Sequence, residues 1–495
     1  MTAITTTDGP VIRISNFDPE RDLSGSTTDT DSTVARVGST GISAVEPLVT
    51  VTRGDQTAFY LQCSSERVAE VVSSVDETDD IAASDPDTVV DHQPDRTRFP
   101  STRLPGLSTG VRGVLGACGW RRPTSPADHE AADGFNELDP RAVLAIGATL
   151  RGRGWGDLCH DDPLAETWKA VRGVDGEKVV VVNAHGNAAD TLLLASAPFE
   201  VLEGAVAVAH TVDADQVVIY ASADDEHAVW TVREAVKNYP DLTAEVDVVT
   251  GPAEYRAAEP TMAIEAIEGN HRLEARVNPP SLNEVGLHGQ PALVHTPRTF
   301  AHLAVGLREG DVRDTRVVTV TGDVTSPATV EVPETETLDA VVDAVDITGE
   351  FKAAYVGGRF GGVSGDLDIG VGPEALADAD LGTEGAVHVL TDDRCVVEFV
   401  GQRTQFAAEE NCGRCVPCRE GTTQLADLLR DVYDGEYNPD GIAELAEVMA
   451  TSSICAFGVQ AGRPARTAVT EFESEFKAHA KGQCPAGSCL ETLET

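Results

Sequence analysis

Four cysteines near the C-terminus have the residue type and the spacing of a metal site. Cys412, Cys415 and Cys418 follow one another at two-residue gaps in NCGRCVPCREGT, and Cys455 lies in SSICAFG, 37 residues after Cys418. Two-residue gaps allow thiolates to converge on one small object, and a cubane iron–sulfur cluster needs four thiolates. The pattern of three close cysteines and one remote cysteine therefore predicts a [4Fe–4S] cluster.

Two other interpretations of these cysteines remain open. Four thiolates also bind a zinc ion, although structural zinc sites usually take two separated pairs of ligands. Ordinary buried thiols are the third interpretation. The sequence motif CPAGSC contains Cys484 and Cys489 and is interpreted as part of a flexible tail over residues 483–495, with a redox or docking role as the alternative. The remaining cysteines are isolated and are predicted to be small buried residues: Cys63, Cys118, Cys159 and Cys395.

Secondary-structure elements must position the four cysteines. The segments near these cysteines have apolar residues at helical spacing. QLADLLRDV, GIAELAEVMATSS and RTAVTEFESEFKAHA predict a C-terminal helical bundle over residues 396–482. Before it, RVVTVTGDVTSPATVEVPETETLDAVVDAV alternates like a hairpin and then becomes helical. This pattern predicts a small domain of strands and helix over residues 315–395.

The middle of the chain has a βαβ pattern. EKVVVVNA and DQVVIYAS are continuous apolar runs typical of buried parallel strands, and the helix-like EVLEGAVAVAHTV lies between them. We predict an α/β main domain over residues 96–310, with a mostly parallel, Rossmann-like sheet covered by helices.

Two segments precede the main domain. Residues 1–44 are rich in Thr, Ser, Asp and Gly and are predicted to form a mobile acidic extension. In residues 45–95, EPLVTVTRGDQTAFYLQCSSERVAEVVSSV predicts a strand, a turn, a second strand and a helix, and an acidic linker follows.

The charge of the chain excludes two classes of partner. Acidic residues outnumber basic ones 82 to 37, which gives a formal net charge of −45. Such a surface repels nucleic acids and anionic membranes, and it is typical of proteins in a high-salt cytoplasm. The sequence shows no signal-peptide pattern and no apolar run of the roughly 18 residues that a membrane span needs. A cytoplasmic, halophilic protein without direct membrane insertion is expected.

The cysteine motifs resemble those of a known family. NCGRCVPCREGT and SSICAFGVQAGRPARTAVTEFESEF are similar to the C-terminal cluster domain of the NADH-binding flavoprotein subunit of respiratory complex I and its soluble relatives in hydrogenases and formate dehydrogenases. The resemblance covers about residues 45–495. It implies that the four matching cysteines hold a [4Fe–4S] cluster, which takes electrons one at a time from FMN after NADH has delivered a hydride.

The same resemblance implies a domain order and a set of partners. YVGGRFGG and TGDVTSPATVEV resemble the family's β-grasp domain, and residues 46–75 resemble the last part of a thioredoxin-like domain. The chain would be an electron-transfer subunit of a multisubunit NADH dehydrogenase-like oxidoreductase. Its neighbours would include an iron–sulfur or thioredoxin-like [2Fe–2S] subunit, and partners could bring it to the periphery of a membrane complex.

The resemblance also indicates which residues would form an FMN/NADH pocket. LRGRGWGD is similar to the family's glycine-rich loop LRGRGGAGF, with Gly152, Arg153 and Gly154 matching. Glycine permits the backbone to approach a phosphate closely. Asn183 in NAHGNAAD and Glu259 in AAEPT also match family positions.

Other positions of that pocket differ from the family. Trp155 and Asp157 replace glycines, His185 replaces an acidic residue, and His295 and Thr296 replace amides. One hypothesis is that the pocket still holds FMN through the five matching residues. The alternative is a cluster-only electron relay, or a structural subunit, that has lost FMN and NADH binding. His185 could act as an acid or base, but no catalytic residue is assigned.

Overall fold

The computed structural model describes residues 2–4, 9–15, 32–135, 138–158 and 161–489. Within these ranges the chain forms three sheets and a helical C-terminal region, so the prediction of a mixed α/β fold is confirmed. Cys159 lies outside the described residues.

A four-stranded, all-parallel sheet lies at the centre of the main region, in the order β8-β7-β6-β9. The apolar runs predicted as strands form β6 and β7, and EVLEGAVAVAHTV lies in α6, as the βαβ pattern predicted. The elements are α2 Pro126–Glu130, α3 Pro140–Gly147, α4 Ala165–Arg172, β6 Val179–Asn183, α5 Ala188–Ser196, α6 Pro198–Val212, β7 Gln216–Ser222, α7 Glu226–Asn238, β8 Glu245–Gly251, α8 Pro260–Ile267, β9 Ala292–His295 and α9 Pro297–Glu309.

Helices α6 and α9 pack at very short range in the core of this region. A Cβ atom on Gly204 would lie 2.1 Å from the carbonyl oxygen of Phe300, so only glycine permits the approach. Beside this contact Glu200 forms buried ion pairs with Arg121 and Arg308, and Arg308 also pairs with Glu203 at 2.7 Å. Paired carboxylates and guanidiniums neutralise one another in this apolar core.

The N-terminal sheet has the order β2-β1-β3-β4-β5 and carries one helix. Its elements are β1 Val11–Ser15, β2 Thr33–Val37, β3 Leu48–Arg53, β4 Gln56–Tyr60, α1 Ser65–Glu77 and β5 Thr88–Asp91. The predicted strand, turn, strand and helix correspond to β3, β4 and α1.

Two predictions for this part of the chain are wrong. The described part of residues 1–44 is not a mobile extension, because β1 pairs in parallel with β2 and antiparallel with β3, and all five of its residues are buried. The acidic segment after α1 is not only a linker, because β5 pairs with β4. Short buried strands among acidic residues, such as VIRIS, escape a prediction based on composition.

A third, mixed sheet follows α9, in the order β11-β10-β14-β12-β13. The predicted hairpin is the antiparallel pair β10 and β11, and β10 also pairs in parallel with β14. The elements are β10 Thr315–Gly322, β11 Ala328–Pro333, α10 Leu338–Val342, β12 Phe351–Val356, β13 Gly362–Ser364, α11 Pro373–Asp378 and β14 Ala386–Thr391.

Helices alone form the C-terminal region as the structure describes it. They are α12 Val396–Glu410, α13 Val416–Asp431, α14 Pro439–Ser452, α15 Ala456–Gln460, α16 Arg463–Glu471 and α17 Glu473–His479. RTAVTEFESEFKAHA, which has the spacing of one helix, is divided between α16 and α17, which meet at Phe472.

Within the described ranges no single helix is long and apolar enough to cross a membrane. The bent pair α5 and α6, at 98° to one another, meets the length and composition criteria only jointly.

Candidate metal centre

Cys412, Cys415 and Cys418 lie in the turn between α12 and α13 and in the first turn of α13. Asn411 ends α12, and its side-chain oxygen accepts a hydrogen bond from the backbone N–H of Gly413 at 3.0 Å. Gly413 has a φ of +76°, a conformation that side-chain-bearing residues rarely adopt. Cys415 is the N-cap of α13, and Cys418 is buried one turn later. This turn therefore brings the three thiols to one end of α13.

Cys455 approaches the same place from the opposite side. It is the N-cap of α15 and is buried. A Cβ on Gly458 would lie only 2.9 Å from the Cβ of Cys418. Glycine at position 458 thus allows the two cysteine-bearing segments to come together.

The electrostatics of the four thiols show that they converge. Burial, followed by the neighbouring thiols of Cys415, Cys455 and Cys412, raises the pKa of Cys418. Burial and then the carboxyl of Glu259 raise the pKa of Cys455 to about 12. A cationic metal centre would remove this penalty, because it stabilises thiolates.

The spacing of the four thiols fits a cubane better than a single ion. Among the described residues, they are not one of the groups whose ligand atoms all lie within 4.8 Å of one another. Ligands of one zinc ion lie roughly 3.8 Å apart, since each Zn–S bond is about 2.3 Å. The thiolates of a cubane bind four different iron atoms and stand farther apart. The four cysteines therefore suit a [4Fe–4S] cluster.

In the glycine-rich loop, the two residues that replace family glycines are buried within the protein. Trp155 is stacked on Tyr255, with ring centroids 4.6 Å apart, and both belong to the apolar cluster that contains Cys418 and Cys455. Asp157 is also buried. Neither side chain projects into solvent or into an open cleft.

Asp157 belongs to a chain of buried hydrogen bonds. Its Oδ1 lies 2.8 Å from Nδ1 of His295, and its Oδ2 accepts from the hydroxyl of Thr299 at 2.8 Å. Nε2 of His295 accepts from the indole N–H of Trp168 at 2.9 Å. An indole nitrogen can only donate, so Nε2 carries no proton and Nδ1–H donates to the carboxylate. The imidazole is therefore in the Nδ1–H tautomer, with Nε2 as the acceptor.

The three loop residues that match the family are also engaged in contacts within the protein. The backbone N–H of Arg153 donates to Thr299 Oγ1 at 3.0 Å, and its carbonyl accepts from the hydroxyl of Thr296 at 2.7 Å. A Cβ on Gly154, which has a φ of +93°, would lie 2.5 Å from the guanidinium of Arg298. The backbone N–H of Gly152 donates to the carbonyl of Asp162 at 3.2 Å. The space that glycine leaves at position 154 is filled by an arginine side chain.

The side chains of Asn183 and Glu259 form hydrogen bonds with the backbone and do not face an open pocket. The Asn183 amide donates to the carbonyls of Gly156 and Ala258, at 2.9 and 2.8 Å. One carboxylate oxygen of Glu259 accepts from the backbone N–H groups of Thr261 and Met262, both at 3.0 Å, and so caps α8. Burial nevertheless raises the pKa of Glu259 above its ordinary value.

The contacts of the loop leave no room for FMN. Two of the replaced positions, Asp157 and His295, bind one another directly, and the backbone N–H and carbonyl of Arg153 are bonded to Thr299 and Thr296. The loop therefore does not leave the space that an isoalloxazine ring or its phosphate needs. The residues present do not fit FMN at this loop.

A large cavity lies beside the loop rather than in it. The cavity has a volume of 1740 Å³, and its lining includes His185, Asn187, Glu254 and Tyr255. None of the five predicted pocket residues lines it. His185 is buried in its wall, with Nε2 2.7 Å from the carbonyl of Pro252, and Nδ1 has no hydrogen-bond partner among the described residues. Burial lowers the pKa of His185, so the ring is neutral at pH 7.

The sequence identified the altered positions but not their contacts with one another. Trp168 was not singled out, although it completes the hydrogen-bond chain through His295. The sequence did contain one sign of this contact. Asp157 replaces a glycine in one motif and His295 replaces an amide in another, and a carboxyl and an imidazole can share a proton.

Comparison with family profiles gives two matches. Residues 398–479 match the NADH-ubiquinone oxidoreductase-F iron–sulfur binding region, and residues 148–304 match the Nuo51 FMN-binding domain. The first span contains all four candidate cluster cysteines, and the second contains all five predicted pocket residues.

Individual relatives agree with these matches. The chain is 27% identical over 367 residues to a subunit of the NADH-quinone oxidoreductase of Aquifex aeolicus, covering 68% of this chain and 84% of that protein. It is 26% identical over 424 residues to a subunit of the NADP-reducing hydrogenase of Solidesulfovibrio fructosivorans, covering 76% and 85%. A solved structure of an NAD⁺-reducing [NiFe]-hydrogenase in the H₂-reduced state superposes with a TM-score of 0.63 at 21% identity, over 95% of this chain and 85% of that chain. The structural likeness shows a shared fold.

Proposed function

Because the chain belongs to the family of NADH-binding flavoprotein subunits of respiratory complex I and related hydrogenases, we propose that it is an electron-transfer subunit of a multisubunit NADH dehydrogenase-like oxidoreductase. Cys412, Cys415, Cys418 and Cys455 are its proposed [4Fe–4S] ligands.

The convergence of these four thiols is the observation that carries the proposal. When bound, a [4Fe–4S] cluster accepts and releases one electron at a time. The chain itself supplies the thiolates and a site in which Cys418 and Cys455 are buried. The burial of a cluster and the hydrogen bonds to its sulfurs set its reduction potential.

The electron donor has two candidates, each favoured by one observation. The match to the FMN-binding domain favours the family route, in which FMN passes electrons from NADH to the cluster. The Asp157–His295 contact favours the second candidate, a cluster-only relay. Since the loop does not fit FMN, no step through flavin follows from its geometry. In the second candidate a neighbouring subunit reduces the cluster directly.

Domain roles and partners follow from the same proposal. The mixed sheet over residues 315–395 would be the β-grasp domain, residues 45–95 a thioredoxin-like remnant, and 396–482 the cluster domain. An iron–sulfur or thioredoxin-like [2Fe–2S] subunit would be the neighbour, since the relatives include hydrogenase and quinone oxidoreductase subunits.

The charge of −45 supports a location in a high-salt cytoplasm. At low salt, repulsion between unscreened carboxylates opposes the compact state. We expect circular dichroism to show unfolding when the salt is diluted, and a chain that keeps its full structure in dilute buffer would contradict the halophilic assignment.

The proposal is tested by anaerobic purification in high salt, followed by iron, acid-labile sulfide and flavin analysis. Iron and sulfide in equal amounts, with the broad absorption of a cubane, are expected. Released FMN together with NADH oxidation would support the family route, and iron without flavin would support the cluster-only relay. A chain without iron or sulfide after anaerobic reconstitution would contradict both.

A further inference from the structure

A second group of metal-binding side chains lies outside the four cysteines described above. Ligand atoms of Cys395, His479, Cys484 and Cys489 all lie within 4.8 Å of one another. Three of these residues are buried and Cys484 is half-buried. Neither the family matches nor the resemblance assigns a role to them.

One other group in the described residues meets the same distance criterion but serves a different purpose. His129, Glu200 and Glu203 lie together in the core of the main region. Their carboxylates are already neutralised by the guanidiniums of Arg121 and Arg308. A divalent cation there would face two permanent positive charges, so this group is an ion-pair network.

The group around His479 contains no arginine or lysine and has the geometry of a ligand shell. Nε2 of His479 lies 3.2 Å from the sulfur of Cys395 and 3.2 Å from the sulfur of Cys489. In a tetrahedral zinc site, sulfur and nitrogen ligands lie roughly 3.5 Å apart, because Zn–S is about 2.3 Å and Zn–N about 2.0 Å. The observed distances approach this spacing without a metal ion holding the ligands.

The orientation of His479 is the one that zinc ligation requires. Its Nδ1 lies 2.7 Å from the backbone carbonyl of Glu475, which can only accept a hydrogen bond, so Nδ1 carries the proton. The unprotonated Nε2 then points its lone pair at the sulfurs. Metal-ligating histidines are almost always held in this way by a hydrogen bond from the other ring nitrogen.

The segment after α17 turns so that the sulfurs of Cys484 and Cys489 lie close together. The backbone N–H of Gly487 donates to the carbonyl of Cys484 at 3.1 Å and closes a turn. Gly487 has a φ of +76°, which permits the turn that brings Cys484 and Cys489 together.

We propose that Cys395, His479, Cys484 and Cys489 bind one zinc ion that joins the two ends of the helical region. Three thiolates and one imidazole are a usual ligand set of structural zinc. Binding exchanges the protons of the three thiols for Zn²⁺ and releases them to solvent, with no change of oxidation state.

The positions of the ligands indicate what the zinc ion does. Cys395 is the N-cap of α12, at the start of the helical region, and His479 is the last residue of α17. Linking them closes the chain segment that includes every helix bearing a cluster cysteine. A metal bond across so long a loop stabilises by reducing the freedom of the unfolded chain. The zinc ion is therefore structural, with a closed shell and no position for substrate.

Neither a second cubane nor a disulfide explains this group as well. A cubane would need ligand atoms farther apart than 4.8 Å, since each would bind a different iron atom. A disulfide would consume two sulfurs and leave the third thiol and the oriented imidazole without a function. All three sulfurs are thiols in the structure.

Metal analysis of the whole chain tests the proposal. The chain purified anaerobically is expected to contain about one zinc ion in addition to its iron. Cys489→Ser should lose the zinc and keep the iron, whereas Cys63→Ser, a change at another buried cysteine, should keep both. His479→Cys should retain zinc, because four cysteines also bind it.

Two further measurements separate this site from the proposed cluster and from misfolding. Cys415→Ala should lose iron and retain zinc; zinc that instead disappears in Cys415→Ala and persists in Cys489→Ser would overturn the assignment. If Cys489→Ser does not fold, Co²⁺ is exchanged into the unmodified chain. Tetrahedral thiolate–cobalt absorption bands are then expected. Their absence, or a wild-type chain with no zinc and an oxidised Cys484–Cys489 pair, would contradict the proposal.

Discussion

The turn before α13 and the glycine-rich loop before α4 treat their functional groups in opposite ways. Burial and then three neighbouring thiols raise the pKa of Cys418, so a thiolate at this position is favoured when a cation is bound. Around Asp157, the carboxylate, an imidazole and an indole satisfy one another inside the protein. Buried thiols with no cation beside them indicate that a ligand binds there. Polar groups that hydrogen-bond to one another indicate that protein side chains have taken the place of a ligand.

The strongest test of this contrast is the loss of one cluster thiol. We expect Cys415→Ala to abolish the iron–sulfur absorption, because three thiolates cannot hold a four-iron cubane in place. Cys118→Ser changes a buried cysteine of the main region and should leave the absorption unchanged. The two variants are compared by iron analysis and visible spectroscopy after anaerobic reconstitution, and full cluster content in Cys415→Ala would refute the ligand assignment.

A large stability effect is expected at the loop. Asp157→Asn retains the shape but replaces one of the two oxygens that accept from His295 and Thr299 with an NH₂ group, which should lower the free energy of unfolding by about 2 kcal/mol. Chemical denaturation in high salt measures the change, with the exposed Asp311→Asn as control. If Asp157→Asn were neutral in stability and gained FMN, the loop would be a flavin site rather than a sealed one.

The loop region should also respond to acid. Burial and then the charge of Arg153 lower the pKa of His302 to about 3 from 6.5. The unfolded chain therefore takes up a proton below pH 6.5 that the folded chain refuses, so stability falls as the pH drops. The loss should reach about 1.4 kcal/mol at pH 5.5.

Replacing His302 isolates this contribution from the many carboxylates. The stability difference between the wild type and His302→Gln should change between pH 7.5 and pH 5.5, and the exposed His271→Gln serves as the control. A pH-independent difference for His302→Gln would show that the imidazole is not kept neutral by the fold.

The smallest effect is expected at the contact between the two cysteine-bearing segments. Gly458→Ala places a Cβ 2.6 Å from Ser453 Oγ and 2.9 Å from the Cβ of Cys418, so the segments must separate slightly. We expect a destabilisation of about 1 kcal/mol and an altered cluster potential. Gly401→Ala, in α12, is the matched control, because no atom lies within 4 Å of the added Cβ. An unchanged potential would mean that this approach does not shape the site.

Much of the architecture could be predicted because its signals are local. The runs VVVV and VVIY indicate buried strands by composition alone, and the cysteine spacing indicates a cluster without knowledge of the fold. By contrast, β1 is a five-residue strand whose partners β2 and β3 both lie beyond a long acidic stretch, so no local pattern identifies it.

Contacts between distant residues were not predictable from the sequence for a related reason. Asp157 and His295 are separated by 138 residues, and Cys395 and His479 by 84. Each residue alone resembles an ordinary polar or small buried side chain. The spacing of His479, Cys484 and Cys489, with four residues in each gap, was the one local hint of the second metal-binding group.

In the N-terminal sheet, β1 covers the edge of β3. β1 pairs with β3 from Leu48 to Thr52, which is nearly its whole length. A chain shortened by its first 44 residues would expose β3 as an open edge, whose unpaired N–H and C=O groups are a template for strands of other molecules. Trimming an acidic segment that looks dispensable would therefore convert a protein kept apart by its charge into one that pairs edge to edge.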